Sequence, residues 1–283
     1  MELRFSKMHG LGNDYVYVDC TQEKLPHPEE IAKRISDRRF GIGSDGLILI
    51  CPSEKADFEM RMFNADGSEG RMCGNGIRCV GKYVYDHGLT EKTDLEIDTK
   101  SGIKDLKLVT EDGKVTFVEV QMGKASLRPK DIPVETDYDD FISQPMLVGG
   151  EAYLVTCVSM GSPHAVIFSD EIDTLPLERI GPLFEHHEKF PERINTEFVQ
   201  VIDRNTLNMR VWERGSGETF ACGTGACASV VAAVLNGHCD YDSEVTVQLQ
   251  GGNLLITYLQ DGSVIMKGPA AHVFDGTMEL SGF

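Results

Sequence analysis

The chain has 283 residues, of which 41% are hydrophobic, and its formal net charge is −18 at pH 7. This length suits two ordinary domains with real cores, and the acidity argues against nucleic acid and anionic membranes as partners, since both need clustered Lys and Arg. The chain start lacks the apolar segment of a signal peptide, and the longest apolar run, 230–235, is too short to cross a bilayer. We therefore expect a cytoplasmic protein whose eight cysteines are thiols.

The first part of the chain alternates strand-like and helix-like segments. Segment 28–35 is typical of a helix, with Pro and acidic residues in its first turn, and a second helix is predicted from 74 to about 87. Alternating patterns predict strands at 3–8, 15–20, 47–50, 58–64, 93–99, 102–109 and 114–121. The Gly-rich loop 41–46 precedes a strand instead of joining a strand to a helix, so it does not indicate a dinucleotide site.

The second part repeats this order after segment 124–133, which has two prolines and no periodicity and is the predicted domain boundary. Helices are predicted at 177–187 and 226–235, the second apolar on every side and therefore buried. Strands are predicted at 151–160, 165–168, 197–202, 207–212, 244–249, 253–259 and 263–267. We predict an α+β fold of two pseudo-symmetric domains, 1–123 and 124–267, each an antiparallel sheet or barrel wrapped on a central helix, with the 268–283 tail completing the first domain.

A short stretch occurs twice in the sequence, and it supports the division into two domains. Segment 60–76 aligns without a gap with segment 209–225, at an offset of 149 positions, and segment 12–18 aligns with 161–167 at the same offset. Each longer copy begins with Met-Arg, passes through a turn and ends in Cys-Gly-x-Gly at the start of an apolar helix. Two segments that share one offset indicate two copies of one domain, one carrying Cys73 and the other Cys222.

A cysteine at the start of a helix lies beside unpaired backbone N–H groups and the positive end of the helix dipole. This position favours the thiolate and should lower the pKa of the thiol, and the same N–H groups could bind a substrate carboxylate. If Cys73 and Cys222 flank one cleft between the domains, one can remove a proton from a carbon while the other delivers a proton to the opposite face. No lysine-centred motif for an aldehyde cofactor is visible, so the predicted chemistry is stereochemical inversion without a cofactor.

Three other interpretations of these cysteines stay open. Cys73 with Cys79, and Cys222 with Cys227, could be metal ligands, although neither spacing is the C-x2-C pattern of zinc sites. Cys73 and Cys222 could form a redox pair, although no C-x-x-C motif is present. Both could also be buried structural thiols, which the flanking glycines and charged residues argue against.

Further candidate residues lie on the repeated elements. His164 aligns with Tyr15 and could adjust the pKa of a cysteine, or could be a structural histidine. Glu213 and Arg214 end the strand before Cys222, where they could form a solvated ion pair, or Arg214 could bind a substrate carboxylate.

Several motifs together resemble the diaminopimelate epimerase family, over essentially the whole chain. They are Gly-Leu-Gly-Asn-Asp at 10–14, Phe-Asn-Ala-Asp-Gly-Ser at 63–68, Met-Cys-Gly-Asn-Gly-Ile-Arg-Cys at 72–79, Val-Ser-Met-Gly at 158–161, Asn-Thr-Glu-Phe-Val at 195–199, Trp-Glu-Arg-Gly at 212–215 and Ala-Cys-Gly-Thr-Gly at 221–225. The resemblance implies two pseudo-symmetric domains, cofactor-free conversion of LL- to meso-diaminopimelate, a cleft that closes on the substrate, and a homodimer.

The resemblance also implies roles for individual residues. Cys73 and Cys222 would be the acid/base pair, and His164 and Glu213 would adjust the thiols, with Glu213 also meeting the substrate amine. The remaining substrate-binding positions would be Gly74, Asn75, Gly223 and Thr224 at the helix openings, and Asn13, Asn64, Asn195 and Arg214 around the rest of the substrate, with Arg214 on the distal carboxylate. No metal is implied.

Two positions depart from the usual family pattern and bear on the substrate. Ser162 stands where the family has Asn in Gly-Asn-Pro-His, and Gly46 stands where many members have Gln. A related two-cysteine racemase acting on another amino acid, such as histidine, and a non-catalytic thiol or metal-binding protein therefore remain alternatives. A proline-racemase-type activity is less favoured, because that family has His where this chain has Asn75.

Overall fold

The computed structural model describes residues 1–280, which contain both helices and strands. The strands are β1 Glu2–Gly10, β2 Asn13–Asp19, β3 Gly46–Cys51, β4 Phe58–Asn64, β5 Glu69–Gly70, β6 Asp94–Asp98, β7 Lys104–Glu111, β8 Lys114–Lys124, β9 Gln144–Val148, β10 Glu151–Ser159, β11 Pro163–Phe168, β12 Asn195–Asp203, β13 Thr206–Glu213, β14 Gly217–Thr219, β15 Glu244–Leu249, β16 Gly252–Tyr258, β17 Ser263–Pro269 and β18 Ala271–Glu279. The α-helices are α1 Pro28–Ser36, α2 Gly74–Asp86, α3 Leu177–Glu185 and α4 Gly223–Leu235, and a 3-10 turn covers Pro129–Asp131.

The chain divides into two compact units. The first unit consists of Met1–Val120 and the chain from Lys267 onward, and the second consists of Gln121–Met266. This mixture of helices and sheets confirms the predicted α+β class. None of the helices in residues 1–280 combines the length and apolar character that a membrane crossing requires.

In the first unit, a mixed sheet supports the two helices α1 and α2. Strand β1 pairs with β2 and with β18, both antiparallel, so the returning tail lies beside the start of the chain. Strands β2 and β3 are parallel, and β3 pairs with β4 antiparallel. Helix α2 packs on β1, β2 and β7, where a side chain at Gly81 would come within 3.0 Å of two leucine methyl groups of β7.

The second unit repeats the same pairing pattern around α4. Strand β10 pairs with β11 antiparallel, β11 with β12 parallel, and β12 with β13 antiparallel. Helix α4 consists mainly of Ala, Val and Gly, is buried on almost every side, and packs on strands β10 to β13, β15 and β16. A second parallel pair is also repeated, between β4 and β6 in the first unit and between β13 and β15 in the second.

Candidate active site

In the first unit, Cys73 is the residue immediately before α2, and its backbone is extended. The N–H of Gly76 donates to the Cys73 sulfur at 3.3 Å, and the thiol lies 3.2 Å from Oδ1 of Asn13, the first residue of β2. The Asn13 amide nitrogen donates in turn to Asp45 at 2.8 Å. The helix opening and the β2 terminus therefore hold the thiol from two sides.

Burial and the polar groups around Cys73 act on its thiol in opposite directions. Burial raises the pKa of its thiol by more than the N–H groups of Gly76 and Asn75, the Arg78 guanidinium and the Tyr15 hydroxyl lower it. Burial and the nearby Cys73 and Asp45 likewise raise the pKa of Tyr15 well above its usual value of 10. The expectation that the helix opening gives a net lowering of the thiol pKa is therefore wrong, because desolvation outweighs the dipole.

Arg78 is a residue of this site that the sequence analysis missed. Its side chain is completely buried and donates to Gly74 O at 3.2 Å and to Asn75 Oδ1 at 2.9 Å. Its Nε donates to Pro269 O at 3.1 Å. The sequence places Arg78 on the buried side of an amphipathic helix. This position indicates a structural or functional role, since a buried charge needs several partners. Arg78 holds the Asn75 side chain and the first turn of α2.

In the second unit, Cys222 stands before α4 as Cys73 stands before α2. The N–H of Gly225 donates to its sulfur at 3.4 Å, and the Thr224 hydroxyl lies 3.5 Å from the same atom. Burial, together with the carboxylates of Glu213 and Glu197, raises the pKa of this thiol well above its usual value. The expected net lowering is wrong here too, and Cys222 has two acidic neighbours.

His164 forms a buried pair with a glutamate that the sequence analysis did not single out. Its Nδ1 lies 2.7 Å from Glu197 Oε1, and both side chains are fully buried. Its Nε2 lies 2.9 Å from the Ser162 hydroxyl, which lies 3.3 Å from the Thr224 hydroxyl. Glu197 could have been recognised as a charged residue within an apolar strand pattern. A chain of polar contacts therefore runs from Glu197 through His164 and Ser162 to the opening of α4.

Glycine at position 225 makes room for this pair. A side chain there would come within 2.6 Å of Glu197 Oε1 and within 3.2 Å of the Cys222 sulfur. The second Gly of the Cys-Gly-x-Gly motif therefore allows the carboxylate to lie against the helix.

Glu213 is half-buried at the end of β13. It accepts a hydrogen bond from the Thr219 hydroxyl, and it lies close enough to Cys222 for its carboxylate to raise the pKa of that thiol. Burial raises the pKa of Glu213, while the Thr219 hydroxyl and nearby His164 lower it. Its position beside Cys222 fits the predicted role of adjusting that thiol.

The remaining predicted residues lie in turns at the ends of these strands. Asn195 is buried and uses its amide to bind Pro163 O at 3.1 Å and the Arg214 N–H at 2.8 Å. The Arg214 side chain is exposed and donates to Glu192 O at 2.9 Å. Asn64 donates to the Ser68 hydroxyl at 2.9 Å within its own turn. Asn195, at the start of β12, therefore holds the turn that Arg214 begins after β13.

The structure accounts for one of the two departures noted in the sequence. A side chain at Gly46 would come within 2.1 Å of Phe63 O and within 2.9 Å of the Tyr15 ring. Position 46 therefore accepts only glycine in this backbone, and the buried Tyr15 occupies the adjacent space.

Two groups of side chains within residues 1–280 have the composition and proximity that a metal ion requires. One is His164, Glu197 and Cys222, and the other is His87, His272 and Asp275, with ligand atoms within 4.8 Å of one another in each group. Neither group contains a cysteine pair of the kind considered from sequence, which were Cys73 with Cys79 and Cys222 with Cys227. Cys222 is present in the first group without Cys227. The first group coincides with the candidate acid/base residues.

Known proteins resemble this chain in sequence over nearly its full length. The family model for diaminopimelate epimerase matches residues 5–128 and 156–273. The diaminopimelate epimerase of Acetivibrio thermocellus is 57% identical over 280 residues, which cover 99% of each chain. That of Methanococcus maripaludis strain S2 is 53% identical and covers 98% of this chain and 100% of its own.

Solved structures extend the likeness to the fold. A probable proline racemase from Agrobacterium radiobacter has a TM-score of 0.72 at 13% identity, covering 99% of this chain and 93% of its own. A PhzF-family phenazine biosynthesis protein from Bacillus anthracis has a TM-score of 0.70 at 17% identity, covering 99% and 100%. At these identities the likeness concerns the fold alone.

Proposed function

The chain belongs to the diaminopimelate epimerase family, and we propose that it interconverts LL- and meso-2,6-diaminopimelate by proton transfer between the thiols of Cys73 and Cys222. The observation that carries this proposal is the repeated placement of a thiol at the opening of a central helix, half-buried at Cys73 and buried at Cys222, with a backbone N–H directed at each sulfur. In lysine and peptidoglycan precursor synthesis, this activity would supply the meso isomer without a cofactor.

The proposed reaction inverts one carbon in two proton transfers. One thiolate takes the α-proton and becomes a thiol, and the C–H electron pair stays on the α-carbon. The thiol on the opposite face then gives its proton to that carbon and becomes a thiolate, so protons and charge balance. Both sulfur atoms must therefore reach one α-carbon, one acting as base and the other as acid.

The helix openings would stabilise the charge that develops in this reaction. The first N–H groups of α2 and α4 are those of Gly74, Asn75, Gly223 and Thr224, at the positive ends of the two helix dipoles. We propose that they bind the carboxylate of the reacting centre, which gains negative charge as the carbanion forms. Burial would strengthen these contacts, since it removes competing water.

His164 and Glu213 would set the protonation of Cys222. His164 is held by Glu197 at one nitrogen and by the Ser162 hydroxyl at the other, so its ring has a defined orientation. Glu213 raises the pKa of the Cys222 thiol and would also meet the substrate amine. Two carboxylates near one sulfur favour the thiol form of Cys222, which suits the proton donor.

The other predicted residues would hold the rest of the substrate. The exposed Arg214 guanidinium could bind the distal carboxylate through a bidentate contact. Asn195 would act by bracing the Arg214 turn through its backbone bond. Asn13 and Asn64 would contribute amide groups from the first unit, with Asn13 already bonded to the Cys73 thiol.

The proposal extends to the setting of the enzyme. We propose that it acts on a small amino acid in the cytoplasm, where its thiols stay reduced, and that it forms a homodimer as the family resemblance implies. Cross-linking and sedimentation would test the dimer.

Proton NMR in heavy water tests the proposed reaction directly. Reduced protein is mixed with LL-diaminopimelate, with no added cofactor, beside the double variant Cys73→Ala/Cys222→Ala. We expect the α-proton signal to disappear and the meso isomer to form only with the wild type. Exchange with a different amino acid from a panel, but none with diaminopimelate, would retain the thiol chemistry and reject this substrate. Exchange with no amino acid would reject the enzymatic proposal.

A further inference from the structure

A group of two histidines and one aspartate lies in the first unit, away from Cys73 along the chain. His87 is the residue immediately after α2, and His272 and Asp275 belong to β18. His272 Nε2 lies 2.8 Å from Asp275 Oδ1, and His87 Nε2 lies 3.8 Å from the same oxygen. Three ligand atoms from two elements therefore converge on one point.

An irregularity in strand pairing brings His272 and Asp275 together. Residues three apart on a regular strand point to opposite faces of the sheet. Here Lys7 pairs with Phe274 whereas Met8 pairs with His272, so Val273 is an extra residue in β18. This bulge turns the strand and places the two side chains on one face, as bulges do at functional sites.

The position of His87 is set by contacts that suit a metal ligand. Its Nδ1 lies 3.1 Å from Tyr83 O, and its ring stacks on the Tyr83 ring with centroids 4.0 Å apart. A ring that donates its Nδ1–H to a carbonyl presents the lone pair of Nε2, which is the usual arrangement of metal-bound histidine. The Nε2 atom is the one that faces Asp275.

The Asp275 carboxylate is also held by a hydrogen bond from the neighbouring strand. Ser6, its partner across the β1–β18 pair, donates its hydroxyl to Oδ1. The second carboxylate oxygen adds a further possible ligand atom. Hydrogen bonds to ligating carboxylates are typical of metal sites.

The group is accessible to ions from solvent. His87, Asp275, Tyr83 and Ser6 line a surface pocket of about 670 Å³. The three ligand side chains are between about one-third and two-thirds exposed. An ion held by three protein ligands would keep at least one position for water on the pocket side.

We propose that His87, His272 and Asp275 form a binding site for a divalent transition-metal ion of the zinc type. Two imidazoles and a carboxylate suit Zn²⁺ better than the hard cations Mg²⁺ and Ca²⁺, which prefer oxygen ligands alone. A tetrahedral ion needs ligand atoms about 3.4 Å apart, at metal–ligand distances near 2.1 Å. The two histidine–Asp275 separations of 2.8 Å and 3.8 Å bracket this value, and all three ligand atoms lie within 4.8 Å of one another, so side-chain rotations can bring them to it.

Titration of the whole protein with Zn²⁺ tests the site. Calorimetry measures the affinity and stoichiometry, and NMR monitors the histidine rings. We expect one ion per chain, with shifts of the His87 and His272 ring signals. His272→Ala and Asp275→Asn should each weaken the affinity about tenfold or more. The matched control is His186→Ala, which removes an exposed histidine 3.9 Å from a single carboxylate and should leave the affinity unchanged.

The absorption spectrum of bound Co²⁺ distinguishes binding at this site from binding at the thiols. Co²⁺ bound by nitrogen and oxygen gives no thiolate-to-cobalt charge-transfer band, whereas Co²⁺ on Cys222 would give one. If His272→Ala does not fold, Asp275→Asn decides, since it keeps the side-chain shape and its oxygen can still accept from Ser6. Unchanged affinity in Asp275→Asn, or a thiolate band at the first equivalent of Co²⁺, would overturn the proposal.

Discussion

Cys73 and Cys222 have the same backbone setting in their two units. Each precedes a helix of 13 residues and each sulfur accepts an N–H bond, at 3.3 Å in the first unit and 3.4 Å in the second. The strand register is also repeated, since Tyr15 pairs with Gly46 as His164 pairs with Asn195. The repeat therefore preserves how the thiol is held.

The side chains around the two thiols differ in charge. At the positions where the first unit has Asn64 and Ile48, the second has Glu213 and Glu197, 149 residues later. Tyr15 is likewise replaced by His164. Cys73 is surrounded by neutral groups and an arginine, whereas Cys222 lies beside two carboxylates. The duplicated backbone supplies two equivalent thiols, and divergence at a few strand positions makes one the more difficult to ionise.

Removing either thiol should have the largest effect. We expect Cys73→Ala and Cys222→Ala each to reduce kcat for epimerisation about 10³-fold or more, because a two-base inversion needs both groups. Each variant should still exchange the α-proton of one isomer through its remaining thiol, and the two variants should prefer opposite isomers. Exchange is measured by proton NMR in heavy water with LL- and meso-diaminopimelate separately.

The control for this pair is Cys239→Ala, which removes another buried thiol of the second unit and should retain near-normal turnover. Near-normal turnover in either Cys73→Ala or Cys222→Ala would contradict the two-base mechanism.

Glu197 should account for much of the difference between the two thiols. Glu197→Gln removes a negative charge near Cys222, so the pKa of that thiol should fall and its alkylation should begin at lower pH. The alkylation profile of Cys73 should not move. We expect kcat to fall about tenfold or more with little change in KM, because His164 loses its charged partner. Mass spectrometry of each cysteine after timed alkylation gives the profiles.

A second variant, Glu197→Ala, shows how much Glu197 contributes to folding, apart from its charge effect on Cys222. Glu197→Ala leaves the buried His164 Nδ1 without its hydrogen-bond partner and should lower the free energy of unfolding by about 1–3 kcal/mol, whereas the Gln variant should lose much less. An unchanged Cys222 profile in Glu197→Gln would show that Glu197 has only a structural role.

The repeat and its two cysteines could be predicted from sequence because identical residues recur at one offset. Glu197 stands out as a charged residue in an apolar strand, but its contacts with His164 and Cys222 could not be predicted, because a single strand does not show which face meets the thiol. The short strands β5, β9 and β14 were missed, since two to five residues give too little periodicity. The sequence predicts the start of α4 at residue 226, whereas the helix begins at Gly223. Gly-Thr-Gly has low helix propensity, but the Cys222 cap allows these residues to be helical.

An Arg–Glu pair that recurs in both units should differ in its contribution to stability. Arg61 binds Glu69 at 2.9 Å and Arg210 binds Glu218 at 2.8 Å, but only Arg210 also donates to three backbone carbonyls before α3. We expect Arg210→Met to lower the free energy of unfolding by about 2–4 kcal/mol and Arg61→Met by about 1 kcal/mol or less. Urea unfolding of both variants measures this, and equal losses would contradict it.

The smallest expected effect concerns Ser162, which aligns by repeat with Asn13. Asn13 contacts its thiol directly, whereas the Ser162 hydroxyl contacts His164 Nε2 and the Thr224 hydroxyl. Ser162→Ala should reduce kcat/KM by about three- to tenfold, the equivalent of about 1 kcal/mol for one neutral hydrogen bond. Ser169→Ala, which removes a hydroxyl bonded to Glu171 O outside this network, is the matched control.

Ser162→Asn then shows which property of position 162 matters for the substrate. If its role is to hold His164, the longer amide can replace the hydroxyl and kcat should stay within about twofold, since Asn also offers a donor and an acceptor. If position 162 instead contacts the substrate, Ser162→Asn should change KM for diaminopimelate while kcat stays constant. The first outcome assigns Ser162 to the polar network of His164 and Glu197. The second assigns it to substrate binding, the role proposed for Asn13 in the first unit.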